Sequence, residues 1–287
     1  MVSDSTQNLV FQGEVFYLLI SSGDKILRIV YLGDIVAKCG REKVISIIPQ
    51  IKQDYDYDAL IVNVDNAAHG FGCTPAIAQK LLSSQVSAIV TGDHVGNQKN
   101  FIPYLEENNR IIRPLNYSDN FAGEGARIIP LDNGQKILVI EVVGRVFMDY
   151  NESYIDKLES ILQKYKLKKD VEAIFIDIHA EATAEKQALA HYLDGRVSAV
   201  IGSHTHVPTS DCKILPKGTA YQTDVGMCGN YDGVIGFDSK TPMERLHNKS
   251  SSSRLEPMGG QATVCGVFIQ TDNKTGLATD IQAFSYK

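Results

Sequence analysis

The chain has 287 residues, 44% of them hydrophobic, and a formal net charge of −6 at pH 7. This length and apolar fraction suit a globular protein with one large α/β domain or two small ones, and they exclude disorder throughout. A modestly acidic chain has no long-range field that would gather nucleic acid, so a nucleic-acid polymer is not expected as a partner.

The cysteines and the N-terminal region bear on compartment and targeting. The five cysteines are scattered and include no CxxC pair, which predicts reduced thiols in a cytoplasmic protein. No apolar stretch approaches the roughly 20 residues that span a bilayer, so no membrane partner is expected. The run from Leu9 to Ile20 contains Gln12 and Glu14 and lacks a basic leader, which disfavours a signal peptide. We assign residues 1–25 to an N-terminal extension or tag-like segment and residues 26–287 to one domain.

Apolar runs of strand length alternate with helical patterns along the chain, which predicts a mostly parallel central sheet. Thr74 and Pro75 suit the N-cap and the first turn of a helix after the second strand. A second helix is expected between residues 150 and 169, where apolar residues recur at helical spacing. Strands are expected near residues 26–33, 59–64, 87–91, 126–130, 137–142, 172–178, 198–203, 219–223, 262–270 and 278–285.

The C-terminal part of the chain departs from this alternation. The last two predicted strands have no helix between them, so residues 271–276 are expected to join them as an antiparallel hairpin. The sheet architecture is then mixed rather than purely parallel. The polar, serine-rich stretch at 247–260 is expected to be a loop. It could be a lid over a site or only a long connection, and both interpretations stay open.

Acidic and imidazole side chains follow directly after five of the predicted strands. Because strand exits gather ligands at one edge of an open α/β sheet, these side chains are expected to converge. His204 and His206, two residues apart at a strand exit, are expected to point the same way. The residues at the five exits are Asp34, Asp65, Asp93 with His94, His179, and His204 with His206.

Carboxylates and imidazoles in this arrangement are what a two-metal hydrolase requires. In this hypothesis Asp34 and His206 hold the first metal, and Asp65 bridges both. Asp93, His179 and His204 complete the second site with Asp65. A hydroxide held between metals about 3.5–4 Å apart would then attack phosphorus in line with the leaving group.

Several side chains near this cluster have more than one open interpretation. His94 is expected to act as a general acid or to stabilise the transition state by donating to a phosphate oxygen. Asn66 could bind metal, contact substrate or only orient Asp65. Asp177 could bind metal or support the imidazole of His179. Asp34 and Asp65 could instead be helix N-caps, since Asp is favoured there.

The residues of these segments and their order resemble the calcineurin-like metallophosphoesterases, and more closely their bacterial YmdB-type branch. The resemblance extends from about Arg28 to the C-terminus, so the domain at 26–287 is interpreted as a metallophosphoesterase domain. The most specific segments are Gly33-Asp34-Ile35-Val36, Asn66-Ala67-Ala68-His69-Gly70, residues 176–183, Gly202-Ser203-His204-Thr205-His206-Val207, residues 215–221 and Thr223-Asp224-Val225-Gly226-Met227.

The resemblance implies a fold, a cofactor and an activity. The fold is a four-layer α/β/β/α sandwich with two mixed sheets. The cofactor is a pair of divalent or trivalent ions, iron, manganese or zinc, at the strand ends. The activity is hydrolysis of a small phosphodiester or cyclic nucleotide of the 2′,3′-cAMP type. Two alternatives stay open: a metal- and nucleotide-binding regulatory protein with weak turnover, and a phosphomonoesterase or phosphoprotein phosphatase. A homo-oligomer also stays open.

The chain departs from the branch at two positions of the expected metal site. The branch usually has Glu-Asn where this chain has Asp65-Asn66, which implies a shorter bridging side chain. It has an asparagine where this chain has Asp93, within Gly92-Asp93-His94-Val95-Gly96-Asn97. An added carboxylate would strengthen metal retention but lower Lewis acidity and repel phosphate, so slower turnover is the expected consequence.

Overall fold

The computed structural model describes residues 26–148, 152–247 and 253–287, and the backbone of a strand pair nearer the N-terminus. This antiparallel pair consists of β1 (Asn8–Phe11) and β2 (Glu14–Tyr17). The rest of the segment predicted as an extension at 1–25 lies outside the described residues. Residues 248–252 of the predicted loop at 247–260 also lie outside them.

All ten strands predicted from the sequence are confirmed, with ends that differ by at most two residues. Four strands of two or three residues were not predicted, because so short a run carries no periodic signal. After β2 the strands are β3 (Arg28–Leu32), β4 (Asp34–Ile35), β5 (Ala59–Asn63), β6 (Ala88–Val90), β7 (Ile111–Ile112), β8 (Ala126–Pro130), β9 (Lys136–Val143), β10 (Ala173–His179), β11 (Ala199–Ser203), β12 (Lys213–Ile214), β13 (Ala220–Gln222), β14 (Met227–Gly229), β15 (Thr263–Thr271) and β16 (Ala278–Tyr286).

The helices lie between the strands at the expected places. Thr74 caps the second helix by accepting a hydrogen bond from the Ile77 backbone, and Pro75 opens its first turn, as predicted. The helix predicted within 150–169 is confirmed as a shorter segment, and its apolar residues Leu158 and Leu162 are buried. The helices are α1 (Ala37–Tyr55), α2 (Pro75–Leu82), α3 (Phe101–Glu107), α4 (Ile155–Lys164), α5 (Thr183–Leu193) and α6 (Lys240–His247).

Two mixed sheets contain the strands from β3 onward. In the first sheet the order is β4-β14-β15-β3-β5-β6-β7, and β16 pairs with β15 as the predicted antiparallel hairpin. In the second sheet the order is β12-β13-β11-β10-β9-β8. The strands β3, β5, β6 and β7 are parallel to their neighbours in that run, and so are β9, β10, β11 and β13.

Alternation of side chains along the strands produces the four layers. In β3, Val30 and Leu32 pack with α1, α2 and α3, whereas Ile29 and Tyr31 face the second sheet. In β10, Phe175 faces the first sheet, whereas Ile174 and Ile176 pack with α4 and α5. Because strand side chains alternate between faces, each sheet buries both of its faces. The structure therefore confirms the predicted α/β/β/α sandwich.

Candidate functional site

The predicted side chains do converge where the two sheets present the carboxyl ends of their parallel strands. The first sheet delivers Asp34 in β4, Asp65 after β5 and Asp93 after β6, and the second delivers His179 at the end of β10. Gly92 permits the close approach of the β5 and β6 exits, because a Cβ there would lie 2.4 Å from the Asp65 carboxyl carbon. Its φ of +137° also favours glycine.

His179 lies at the centre of this cluster and is fully buried. Its Nε2 is 3.0 Å from Asp93 Oδ1, 3.5 Å from Asp65 Oδ2 and 3.1 Å from His204 Nδ1. Burial alone would lower the pKa of His179, but the carboxylates of Asp65, Asp93 and Asp34 outweigh it and raise this pKa well above its ordinary value. The centre of the cluster therefore attracts positive charge.

A hydrogen-bond relay fixes the tautomer of His179. Ser203 Oγ donates to Asp177 Oδ1 at 2.7 Å, so the hydroxyl oxygen is free to accept from His179 Nδ1 at 2.9 Å. Tyr31 and Asn63 donate to the other oxygen of Asp177. With one proton held on Nδ1, the second proton of the imidazolium lies on Nε2 and faces Asp93 and His204, and a bound cation would replace it there. Asp177 thus supports His179 through Ser203. None of these hydrogen bonds joins Asp177 directly to the centre of the cluster.

His204 has the reverse tautomer by the same logic. Its Nε2 faces Glu181 Oε2 at 3.5 Å, which leaves Nδ1 directed at His179 and at Asp93 Oδ1, 3.5 Å away. Donor atoms of Asp93, His179 and His204 lie within 4.8 Å of one another, close enough to share one metal ion. Lone pairs that face each other at this range repel unless a cation lies between them, so these residues fit a metal ion.

His206 and Asn66 form a second pair of facing acceptors. His206 Nδ1 donates to the Ile235 carbonyl at 2.8 Å, while Asn66 Nδ2 donates to the Gly70 carbonyl at 3.0 Å. These bonds direct His206 Nε2 at Asn66 Oδ1, 3.0 Å away. Asn66 therefore presents an oxygen toward the site rather than orienting Asp65, and a second cation fits here as well.

Asp34 lies deep beneath both groups. Its Oδ1 is buried and has no hydrogen-bond partner among the described residues, with His179 Nδ1 3.7 Å away, while its Oδ2 accepts from the His204 backbone at 3.1 Å. Burial would raise the pKa of Asp34, but the imidazoles of His206 and His179 lower it overall. A buried carboxylate oxygen without a hydrogen-bond donor is costly, and a metal ion would compensate for that cost. Asp34 is not a helix cap, because Val36 occupies the N-cap of α1.

His94 lies at the open side of the cluster. Its backbone N–H donates to Asp65 Oδ1 at 2.8 Å, and its Nδ1 is 3.7 Å from Asp93 Oδ2. The donor atoms of Asp65, Asp93 and His94 form a second group that could share an ion. His94 is therefore placed both for contact with a substrate and for ligation, and its predicted donor role stays a prediction.

One reason given from the sequence for the orientation of His204 and His206 is wrong. Strand periodicity does not set it, because β11 ends at Ser203 and both residues have left-handed backbones, with φ of +91° and +66°. His204 faces His179 while His206 faces Asn66. The two imidazoles therefore serve different groups of donors, and a loop determines their directions.

Comparison with known proteins identifies the family. A family profile described as "YmdB-like protein" matches residues 30–284. The chain belongs to the YmdB-like family. It is 39% identical over 256 residues to a Bacillus subtilis protein named 2′,3′-cyclic-nucleotide 2′-phosphodiesterase, covering 89% of this chain and 96% of that protein.

Two solved structures are similar to this YmdB-like chain over nearly their full lengths. A hypothetical protein from Thermus thermophilus has a TM-score of 0.83 and 35% identity, with 91% of this chain and 99% of that one covered. A protein from Mycoplasma pneumoniae described as a novel phosphatase has a TM-score of 0.83 and 31% identity, with 92% and 94% covered. The fold is therefore shared with these two solved structures, one of which is described as a phosphatase.

A buried ion pair holds the 203–206 turn of this YmdB-like chain. Lys186 Nζ lies 2.9 Å from Asp224 Oδ2 and donates to the Ser203 carbonyl at 2.6 Å, with both side chains fully buried. Asp224 Oδ2 also accepts from the backbone and hydroxyl of Thr205. Lys186 is thus a support of the turn. No supporting role was predicted from the sequence for Ser203, Asn63 or Asp224. Each of them lies within two residues of an expected ligand or in a segment typical of the family.

In the ranges 26–148, 152–247 and 253–287, the helices are all too short or too polar to cross a membrane.

Proposed function

We propose that residues 26–287 form a metal-dependent phosphodiesterase domain that hydrolyses small 2′,3′-cyclic nucleotides. The observation that carries the proposal is the convergence of facing acceptors: Nε2 of His179 against Asp93, and Nε2 of His206 against Asn66. A cation between the members of each pair would satisfy both of them, and a phosphoric ester hydrolase uses cations at this position of a sheet. The printed name of the Bacillus subtilis relative supports the choice of a cyclic nucleotide.

The donor side chains are proposed to hold two ions of iron, manganese or zinc. Asp34, Asn66 and His206 would bind one ion, Asp93, His179 and His204 the other, and Asp65 would bridge them. When bound, the ions would lower the pKa of a water molecule and neutralise charge on the phosphate. Ser203 and Glu181 would hold the tautomers in which Nε2 of His179 and Nδ1 of His204 face the ion.

His94 is proposed to donate a proton or a hydrogen bond to the phosphate or to the leaving oxygen. Its side chain lines the open cavity beside the donor cluster and packs edge-on against Phe71, with ring centroids 5.1 Å apart. That contact restricts rotation of the imidazole and holds it beside the cavity, where a donor to phosphate would act.

Asp93 favours a second candidate, a nucleotide-binding protein with weak turnover. Its carboxylate contacts both His179 and His204, and burial, which would raise its pKa, is outweighed by these imidazoles, which hold the pKa well below its ordinary range. The carboxylate therefore stays charged and reduces the positive charge that an ion there offers to phosphate. The description of one similar structure as a phosphatase also keeps a phosphomonoesterase as an alternative.

The deciding experiment combines metal analysis with a substrate panel. Protein purified without added metal should contain about two equivalents of iron, manganese or zinc, as two-metal sites do. With manganese or iron it should hydrolyse 2′,3′-cAMP and a chromogenic phosphodiester faster than a phosphomonoester. Failure to hydrolyse any phosphoester with metal in excess contradicts the proposal. If nucleotide binds without turnover and Asp93→Asn raises the rate, the second candidate replaces it.

A further inference from the structure

The cavity beside the donor cluster has two chemically different sides. Its volume is about 320 Å³, which is at the lower end of the range for small-molecule sites. One side is polar and carries Asn66, His94, Glu181, His204, Thr205 and His206. The other side, called the apolar wall here, consists of Phe71, Ile235, Phe237 and Leu255. A ligand that fills this cavity therefore has a polar end at the donors and an apolar end at the wall.

The apolar wall is held in a defined position. Phe237 is 3% exposed, and its ring packs against Phe71 with centroids 5.7 Å apart. Gly70 makes room for this ring, because a Cβ at Gly70 would lie 2.6 Å from a Phe237 ring carbon. Phe237 also forms backbone bridges to Val234 and Pro257. Both aromatic rings are thus in place before a ligand binds, which lowers the entropy lost on binding.

Ile235 connects the apolar wall to the donor cluster and is itself exposed. Its side chain is 45% exposed, and its carbonyl accepts from His206 Nδ1 at 2.8 Å. Its φ of +47° lies in the left-handed region, which is strained for a β-branched residue. A strained, exposed isoleucine beside the donor cluster does not stabilise the fold. Its exposed side chain is instead suited to contact with a ligand.

We propose that the apolar wall binds the nucleobase of the nucleotide whose phosphate lies at the donor cluster. This inference rests on the proposed function. A base has a flat apolar face that suits Phe71 and Ile235, and such face contacts tolerate any of the four bases. The apolar wall therefore selects nucleotides over phosphodiesters without a base, and it discriminates little among A, G, C and U.

The test compares a substrate that carries a base, 2′,3′-cAMP, with one that lacks it, glycerol 1,2-cyclic phosphate. For each substrate, kcat/KM is measured with the wild type, Phe71→Ala and Ile235→Asn. Each substitution should lower the ratio between the two substrates by about 10-fold or more, as expected for loss of a base contact. Asn tolerates a left-handed backbone, so Ile235→Asn keeps the fold. Phe147→Ala is the matched control, because Phe147 is 87% exposed outside the apolar wall, and its ratio should equal that of the wild type.

The outcomes separate this inference from the proposed function. An equal loss on both substrates, or no loss in either variant, overturns the inference while hydrolysis by the wild type supports the function. If the wild type hydrolyses neither substrate, calorimetry with 2′,3′-cAMP decides. Binding that weakens by about 10-fold in Phe71→Ala and Ile235→Asn keeps the base site. Binding that is equal in all proteins, or absent, rejects it.

Discussion

The two edges of the sandwich carry cavities that differ in what their charged groups face. At the amino ends of β5, β6 and β7, a cavity of about 220 Å³ is lined by Lys52, Asp58 and Arg110 among others. Each of these has a local partner: Lys52 pairs with Asp56, Asp58 accepts from the Arg28 backbone, and Arg110 donates to the Val86 carbonyl. At the carboxyl edge, imidazoles and carboxylates face one another instead.

The two edges also differ in the charge of a buried polar group that has no hydrogen-bond partner among the described residues. At the amino edge, Tyr57 has a buried hydroxyl without a partner, and burial raises the pKa of Tyr57 to about 12, so the group is neutral. At the carboxyl edge, one such group among the described residues is an oxygen of Asp34, whose pKa is lowered by the imidazoles of His206 and His179 although burial would raise it. A neutral orphan costs stability, whereas a charged one calls for a cation. Facing polar groups, rather than cavity size, therefore distinguish the edge that carries the proposed site.

The largest effect is expected when the imidazole at the centre of the cluster is removed, and this substitution tests the contrast between the two edges. His179→Ala should lower kcat on a chromogenic phosphodiester by roughly 1,000-fold or more and reduce the bound metal, since metal catalysis supplies several kcal/mol. His191→Ala is the control, because His191 is exposed on α5 and should keep wild-type kcat and metal content. A folded His179→Ala protein that retains a tenth of the wild-type rate contradicts the assignment.

The buried ion pair behind the site gives the next largest effect. Lys186→Met leaves Asp224 charged and without its ammonium, so the free energy of unfolding should fall by about 3–5 kcal/mol. Urea denaturation followed by circular dichroism measures it. The double variant Lys186→Met/Asp224→Asn removes the uncompensated charge and should recover some of the loss. Equal stability of Lys186→Met and the wild type would show that the turn at 203–206 does not depend on this pair.

The relay behind His179 should affect metal affinity more than folding. Ser203→Ala removes the group that accepts from His179 Nδ1 and donates to Asp177. Loss of such a support lowers metal affinity by about 10–100-fold, which competition with a chelator measures. Ser83→Ala is the matched control, because Ser83 is exposed and its hydroxyl donates to the Lys80 carbonyl in α2. Wild-type affinity in Ser203→Ala would mean that other contacts fix the tautomer.

The sequence predicts the strands and the gathering of donors for one physical reason. Apolar runs such as 60–64 and 174–178 must be buried as strands, and parallel strands bring the residues that follow them to one edge. Asp65 and His179 could therefore be expected to lie together without coordinates. The four layers, in contrast, were implied only by the family resemblance, and the structure shows their physical basis, because alternate residues of β3 and β10 are buried on opposite faces.

The supports of the site could not be predicted in this way. The contacts of Ser203 with His179 and of Lys186 with Asp224 depend on the distance between strands and on loop backbones, which side-chain periodicity does not specify. The left-handed backbones of His204 and His206 are a case in point, since neither residue type requires a positive φ. The apolar wall joins residues 71, 235, 237 and 255, which no local pattern connects.

The smallest expected effect comes from repeating the lysine substitution at the amino edge. Lys52 lies 3.6 Å from Asp56, with the two side chains 44% and 71% exposed, and its ammonium lies over the Tyr57 ring. Exposed pairs contribute about 0–1 kcal/mol, so Lys52→Met should lower the free energy of unfolding by roughly 1 kcal/mol or less and leave kcat/KM at the wild-type value. The same urea and activity assays measure both. A loss of activity in Lys52→Met as large as that in His179→Ala would make the amino-edge cavity a functional site and reverse the contrast between the edges.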